Sequence, residues 1–269
     1  MKLTFQQSIL FRLSLTLLVF SFLTQSFTFA PKRDFYQLKI YHLKNKTQES
    51  SLDVFLQNAY LPALHRAGIN KIGVFKPIIE AGAAEPTEQL VYVFIPFTSE
   101  KEFFKLESKL AADKKYAVAG KEYLDAPYDN VPYTRIESIL LSAFTGQPNF
   151  AMPALTSPKS ERIYELRSYE SYTEKLYKNK VEMFNKGDEV GLFKRLGFNA
   201  VFYGEVISGA QMPNLMYMTT FENKAARDEH WKTFSADPAW KKLSAMPEYQ
   251  HNVSRNDTRF LRPTDYSDI

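Results

Sequence analysis

The strongest constraint on the fold is that the chain repeats itself. Tyr36-Gln-Leu-Lys-Ile-Tyr41 lies in register with Tyr164-Glu-Leu-Arg-Ser-Tyr169. Gly68-Ile-Asn-Lys-Ile72 then matches Gly197-Phe-Asn-Ala-Val201, and Leu90-Val-Tyr92 matches Leu215-Met-Tyr217. The spacing from Phe97 to Asp113 equals that from Phe221 to Asp237, which brings Tyr116 and Trp240 into register. Matches in one order, interrupted by a short insertion around residues 81–86, point to a diverged duplication. Between the copies, residues 142–158 carry three prolines with scattered Ser and Thr, the composition of a linker.

Each copy reads as strand, helix, strand, strand, helix, strand. In the second copy, Arg162–Glu170 has strand alternation, and Ser171-Tyr-Thr-Glu174 resembles a capping box opening a helical stretch that ends near Gly197. Ala200–Ile207 and Leu215–Phe221 suit two strands joined by a turn at Ser208–Asn214. A second helix is expected from Asn223 to Phe234 and a last strand from Arg259. In the first copy Ser99-Glu-Lys-Glu102 is the corresponding cap signal. The βαββαβ order is the ferredoxin-like split pattern and sets the fold class as α+β.

The first 30 residues read differently. Lys2 and Arg12 are their only charges, and Leu13–Leu23 is an apolar run of secretory length, short of the about 20 residues that span a bilayer. Small residues at Ser26 and Ala30 offer cleavage sites, although Pro31 disfavours the second. The mature protein is expected to start between residues 27 and 31 and to be periplasmic or secreted. The alternative is an uncleaved N-terminal anchor. No further integral membrane segment is expected. With Lys2 and Arg12 set aside, the basic and acidic side chains nearly balance and no long basic run is left, so nucleic acid is not an expected partner. The absence of Cys excludes disulfides, thiolate metal sites, thiol nucleophiles and lipoprotein acylation.

Ile163-Tyr-Glu-Leu-Arg-Ser-Tyr169, followed by Asn223–Trp240 with its segment Trp231-Lys-Thr-Phe-Ser-Ala-Asp-Pro-Ala-Trp240, resembles the NIPSNAP family. The resemblance is to its exported two-copy members of the Bacteroidetes type. The second copy carries it over about residues 160–265; the first lacks the Asp-Pro-x-Trp ending. The resemblance implies a dimeric α/β-barrel fold, here two tandem ferredoxin-like modules packed sheet to sheet within one chain. The expected organisation is a signal peptide over 1–30, a diverged module over 31–142, a linker over 143–159 and a NIPSNAP-like module over 160–269. The family implies no reaction and no catalytic residues.

Candidate chemistry is sparse. There is no Gly-x-Ser-x-Gly elbow, P-loop or Gly-x-Gly-x-x-Gly, so no catalytic residue is assigned. Trp231 and Trp240 read either as a ligand shelf or as core, with Asp237-Pro238 ending one helix and starting the next turn. His230 shares a helix face with Phe234, so it reads as a core imidazole or as an axial haem ligand of the kind some dimeric α/β-barrel proteins use. His42, His65 and His251 show no metal-ligand spacing, and no metal or other cofactor is expected. Asp188-Glu189 and Asp228-Glu229 read as solvated helix faces. The Asn-x-Ser/Thr sequons at Asn45, Asn252 and Asn256 read as chance.

Alternation places Glu165, Arg167 and Tyr169 on one strand face and Tyr164, Leu166 and Ser168 on the other, as it does Gln37, Lys39 and Tyr41 against Tyr36, Leu38 and Ile40. The expectation is that the apolar side lies under the helices and the polar side faces the barrel interior. Glu165 and Arg167 would then form either an ion pair between the two sheets or, with Tyr169, Tyr217 and His230, the lining of a pocket. The expected function is an exported small-ligand-binding or interaction scaffold, its partner a small molecule or protein, with a homodimer compatible. The alternative is a small-molecule enzyme of the α/β-barrel kind, monooxygenase-like or haem-handling.

Overall fold

The computed structural model describes residues 32–79, 82 and 86–269. The proposed export signal therefore lies outside the described residues. β1 (Phe35–Leu43) leads into a helical stretch of α1 (Lys46–Phe55), a π turn (Leu56–Tyr60) and α2 (Leu61–Arg66). β2 (Gly73–Pro77) and β3 (Gln89–Phe97) follow, then α3 (Glu100–Ala112), α4 (Lys114–Ala119), α5 (Lys121–Leu124) and β4 (Arg135–Ala143). The second unit repeats the order: β5 (Ile163–Glu170), α6 (Glu174–Asn185), α7 (Glu189–Arg195), β6 (Asn199–Ser208), β7 (Asn214–Phe221), α8 (Lys224–Ala236), α9 (Pro238–Ser244) and β8 (Arg255–Pro263).

Both sheets have the ferredoxin-like strand order, and they join edge to edge. The eight strands form one closed antiparallel barrel, β1-β3-β2-β8-β5-β7-β6-β4. The seams are β2 with β8, from Phe75 opposite Pro263 to Pro77 opposite Leu261, and β4 with β6, from Leu140 opposite Ser208 to Ala143 opposite Gly204. The helices cover the outside. Three apolar clusters result: one under the helices of each unit, and one inside the barrel built from both units. Inside, Phe94 stacks on Phe202 at 4.8 Å, Tyr36 lies 5.4 Å from Phe202, and Phe75 lies 4.7 Å from Tyr164.

Local chemistry repeats between the units. Asp113 and Asp237 each cap the short helix that follows, accepting from Lys115 and Tyr116 N–H in one unit and Ala239 and Trp240 N–H in the other. An arginine holds each cap: Arg66 on Asp113 at 2.7 Å and Arg195 on Asp237 at 3.0 Å. Gly68 and Gly197 close the preceding helices with φ of +88° and +74°, where a side chain would be strained. The cap of α6 is Thr173, which accepts from Leu176 N–H, rather than Ser171.

Two expectations are corrected. Tyr164 and Leu166, with Tyr36, Leu38 and Ile40, fill the barrel interior, whereas Glu165, Arg167 and Tyr169 point outward to the helices. In the middle of the barrel the interior is apolar, so charges there would lack partners. The helix layer supplies Arg227 and Trp231, and the charges face that side. The Glu165–Arg167 pair accordingly ties sheet to helix, not sheet to sheet. Glu189 is not solvated: it is buried and paired with the buried Lys180 at 3.0 Å.

One end of the barrel is sealed. The linker crosses it, with Phe150 and Leu155 packed on the interior cluster and Asp34 accepting from Phe150 N–H at 2.8 Å. Glu222 anchors the linker further on; hydrogen bonds from Ser157 and Thr156 hold its carboxyl down to about 2. The C-terminal tail completes the seal, with Ile269 in the interior cluster and Ser267 and Asp268 accepting from Val74 and Ile72 N–H.

Because the interior is shared, damage to one unit should unfold the other. Phe94→Ala, in the first unit, should cost about 3–5 kcal/mol in urea unfolding. The chain's two tryptophans, Trp231 and Trp240, both lie in the second unit and should report the same shifted transition as circular dichroism. An unmoved tryptophan transition would show independent units.

Candidate functional site

The opposite end of the barrel is polar. On five strands the inward-facing series changes from apolar to polar as it reaches this end: Ile40 to His42, Ile139 to Glu137, Leu166 to Ser168, Met216 to Asn214, and Leu261 to Arg259 and Asp257; beyond Leu90, Glu88 stands just before β3. A cavity of about 150 Å³ lies there, floored by Ile40, Leu90, Tyr92, Ile139, Leu166 and Met216. Its polar lining is His42, Glu137, Ser168, Gln211, Asp257 and Arg259. The buried His42 has Nδ1 2.6 Å from Glu88 and Nε2 3.0 Å from Glu137. Arg135 also pairs with Glu137, and Arg259 with Asp257 at 3.1 Å. Burial pushes the Tyr92 phenol up to about 12, so it stays protonated at neutral pH. The arrangement can hold a small molecule with an apolar body and a polar end. His42, Glu137, Asn214, Asp257 and Arg259 were not singled out from the sequence as a site. Their signal is the change of inward side chains at one strand end, which needs the strand order before it can be read.

The residues singled out from the sequence lie elsewhere, between the second sheet and its helices. Glu165 is fully buried and accepts from Arg167 Nε at 2.6 Å, Arg227 Nε at 2.7 Å, an Arg227 terminal nitrogen at 2.8 Å and Trp231 Nε1 at 2.8 Å. A carboxylate has about four acceptor sites, so these bonds saturate it. Burial alone would raise its carboxyl; the hydrogen bond from Arg227 and the charges of Arg167 and Arg227 prevail and hold it below the ordinary range. Arg167 stacks over Trp231, 3.8 Å from the ring centre, and donates to Tyr169 Oη at 3.0 Å, which lies 2.8 Å from Tyr217 Oη. Beside this chain sits the Lys180–Glu189 pair, whose ammonium lies 4.7 Å from the Phe184 ring centre. Burial raises the Glu189 carboxyl, against the pull of Lys180.

Glu165, Arg167, Tyr169 and Tyr217 are thus brought together, and His230 stands apart. Its ring meets Phe198 and Phe221 edge to face, with centroids 5.7 and 5.5 Å away, and Nδ1 lies 2.7 Å from the Ala226 carbonyl oxygen. Nε2, the nitrogen an axial ligand would present, faces Gly197, where an added Cβ would lie 3.4 Å away. That packing does not fit a haem.

Residues 164–268 match the NIPSNAP family model. The NIPSNAP match spans the second unit from β5 to the C-terminal tail. Among solved structures, a candidate monooxygenase from Fusobacterium nucleatum is similar, at 8% identity over 87% of this chain and 93% of that one, with a TM-score of 0.55. A second candidate monooxygenase, from Lactobacillus acidophilus, is 12% identical over 86% and 94%, with a TM-score of 0.54. A NIPSNAP family protein from Agrobacterium tumefaciens is 20% identical over 40% of this chain and 90% of that one, with a TM-score of 0.35. Comparison with curated proteins gives no match. At these identities the two full-length likenesses speak for the α/β-barrel fold and for no activity.

The saturated Glu165 network has a pH signature. A carboxyl held low in the folded state stabilises above its ordinary value of 4.5, and that contribution is lost as pH falls through the folded value. Glu165→Gln should cost about 3–5 kcal/mol at pH 7, since it leaves buried arginine charge uncompensated, and should flatten the loss of stability below pH 4.5. Urea unfolding of both proteins at pH 7 and pH 3 measures this; equal stability at pH 7 would contradict it.

Proposed function

We propose that the protein is a small-ligand-binding scaffold of NIPSNAP type whose ligand occupies the polar end of the barrel. The observation that carries this reading is the difference between the two ends. One is plugged by the linker and Ile269; the other keeps a cavity of about 150 Å³ ringed by convergent polar groups. Apolar cavities of that size take up benzene, so the volume suits a ligand with a body of about one ring. The enzyme alternative, monooxygenase-like or haem-handling, draws on fold likeness alone, and the packing of His230 speaks against haem.

The finer reading is that the chain is an exported two-copy member of the Bacteroidetes type, cleaved after about Ser26 or Ala30. The charged start and the short apolar run support export. In the described residues no helix is long and apolar enough to cross a membrane. The near-neutral charge balance supports a small-molecule or protein partner rather than nucleic acid.

A ligand-observed NMR screen of one-ring compounds tests the site. Hits on the unaltered protein should vanish with Leu166→Trp, which fills the cavity floor, while circular dichroism stays native. Hits that survive the substitution would place the ligand elsewhere.

A further inference from the structure

The ligand-binding role proposed for the barrel end leaves the ligand's chemistry open, and the distribution of donors and acceptors there narrows it. Asn214 is 2% exposed and its Nδ2 donates to Ser168 Oγ at 2.9 Å, which turns Oδ1 the other way. That oxygen is buried and accepts from no side chain or backbone group among the described residues. Asn214 borders a niche of about 10 Å³ that is also lined by Glu137, Gln211, Ile139, Val206 and the turn at Gly209-Ala210. The niche shares Glu137, Ile139 and Gln211 with the larger cavity, so one ligand can occupy both. Its volume is about that of one water-sized group. Nearby, Glu170 Oε1 is also buried without a hydrogen bond, its nearest base being Arg255 Nε at 3.9 Å.

The charged donors at this end are already committed. Arg259 turns Nε and one terminal nitrogen onto Asp257, two residues away on its own strand. Arg135 turns onto Glu137 in the same way, and both ring nitrogens of His42 face carboxylates. Both arginines are about half exposed at the rim, whereas Asn214 Oδ1 is buried and unpaired. An anionic ligand would bring more acceptors to a niche already lined by Asn214 Oδ1 and the Glu137 carboxylate. A ligand with a compact cationic donor supplies the hydrogen bond that the Asn214 oxygen lacks and adds positive charge beside Glu137, which already pairs with His42 and Arg135.

We infer that the barrel end binds a primary amine, with its ammonium in the niche between Asn214 and Glu137 and an apolar body of about one ring against Ile40, Tyr92, Leu166 and Met216. This inference rests on the reading of the barrel end as a ligand site, and the test separates the two.

Calorimetric titration at pH 7 with benzylamine, benzyl alcohol and benzoate uses probes of one size and three head-group types. Benzylamine should bind tightest. Glu137→Gln should weaken it on the order of tenfold, the loss expected for one charge-assisted hydrogen bond. Asn214→Asp, which keeps the shape and adds charge, should tighten it and guards against a Glu137 variant that fails to fold. Benzoate or benzyl alcohol binding as tightly as benzylamine would overturn the amine and keep the site. Benzylamine binding unchanged by Leu166→Trp would overturn the site itself. No binding by any of the three would overturn the amine inference, the wider screen still deciding the site.

Discussion

The structure depends on strand pairing at two short seams. A four-stranded sheet leaves two edges with unpaired N–H and C=O groups, which invite association with other chains. Here each unit's edges are satisfied by the other: β2 pairs with β8 and β4 with β6. Closure turns two sheets into one barrel with no free edge between them. The inner face meets other strands, the linker and the C-terminal tail, and the outer face meets helices. That difference sets where polar side chains can go.

The two helix layers solve the same problem with different chemistry. At matching strand positions the first unit has Gln37, Lys39 and Tyr41, and the second has Glu165, Arg167 and Tyr169. Lys39 lies over the Tyr41 and Tyr60 rings at 5.2 and 5.0 Å, and Phe55 stacks on Tyr123 at 3.7 Å nearby. In the second unit a carboxylate takes its place among two arginines and Trp231. The first layer holds a cation by aromatic rings, worth at most a few kcal/mol; the second holds charges by saturated hydrogen bonds. A saturated network fixes geometry but has no acceptor left to offer a ligand. At the polar barrel end, unlike in the Glu165 carboxylate, the Asn214 side-chain oxygen is buried and unpaired.

Much of the fold is legible in the sequence because the repeat is a strong signal. The helix ends at Gly68 and Gly197 and the caps at Asp113 and Asp237 follow from local residue chemistry, which acts over a few positions. The orientation of the strands is not local. Alternation separates Tyr164 and Leu166 from Glu165 and Arg167, yet cannot say which set meets the helices; Arg227 and Trp231, some 60 residues away in sequence, decide it. The same limit hid Glu189, whose partner Lys180 lies on a different helix. The barrel end was hidden for a further reason. His42 and Glu137 sit on strands of the first unit and Asn214 and Asp257 on strands of the second, and the two sets come together only once the seams close.

The contrast between a sealed end and an open one can be measured directly, since the chain contains no cysteine to compete with an introduced thiol. Ser168→Cys places a thiol in the cavity lining, and Ala143→Cys places one in the interior cluster beside the linker. Under native conditions a small methanethiosulfonate reagent should label the Ser168→Cys protein, while the Ala143→Cys protein stays protected until urea unfolds it. Labelling of the Ala143→Cys protein as fast as the Ser168→Cys protein would contradict the account, because the two ends of the barrel would then be equally accessible.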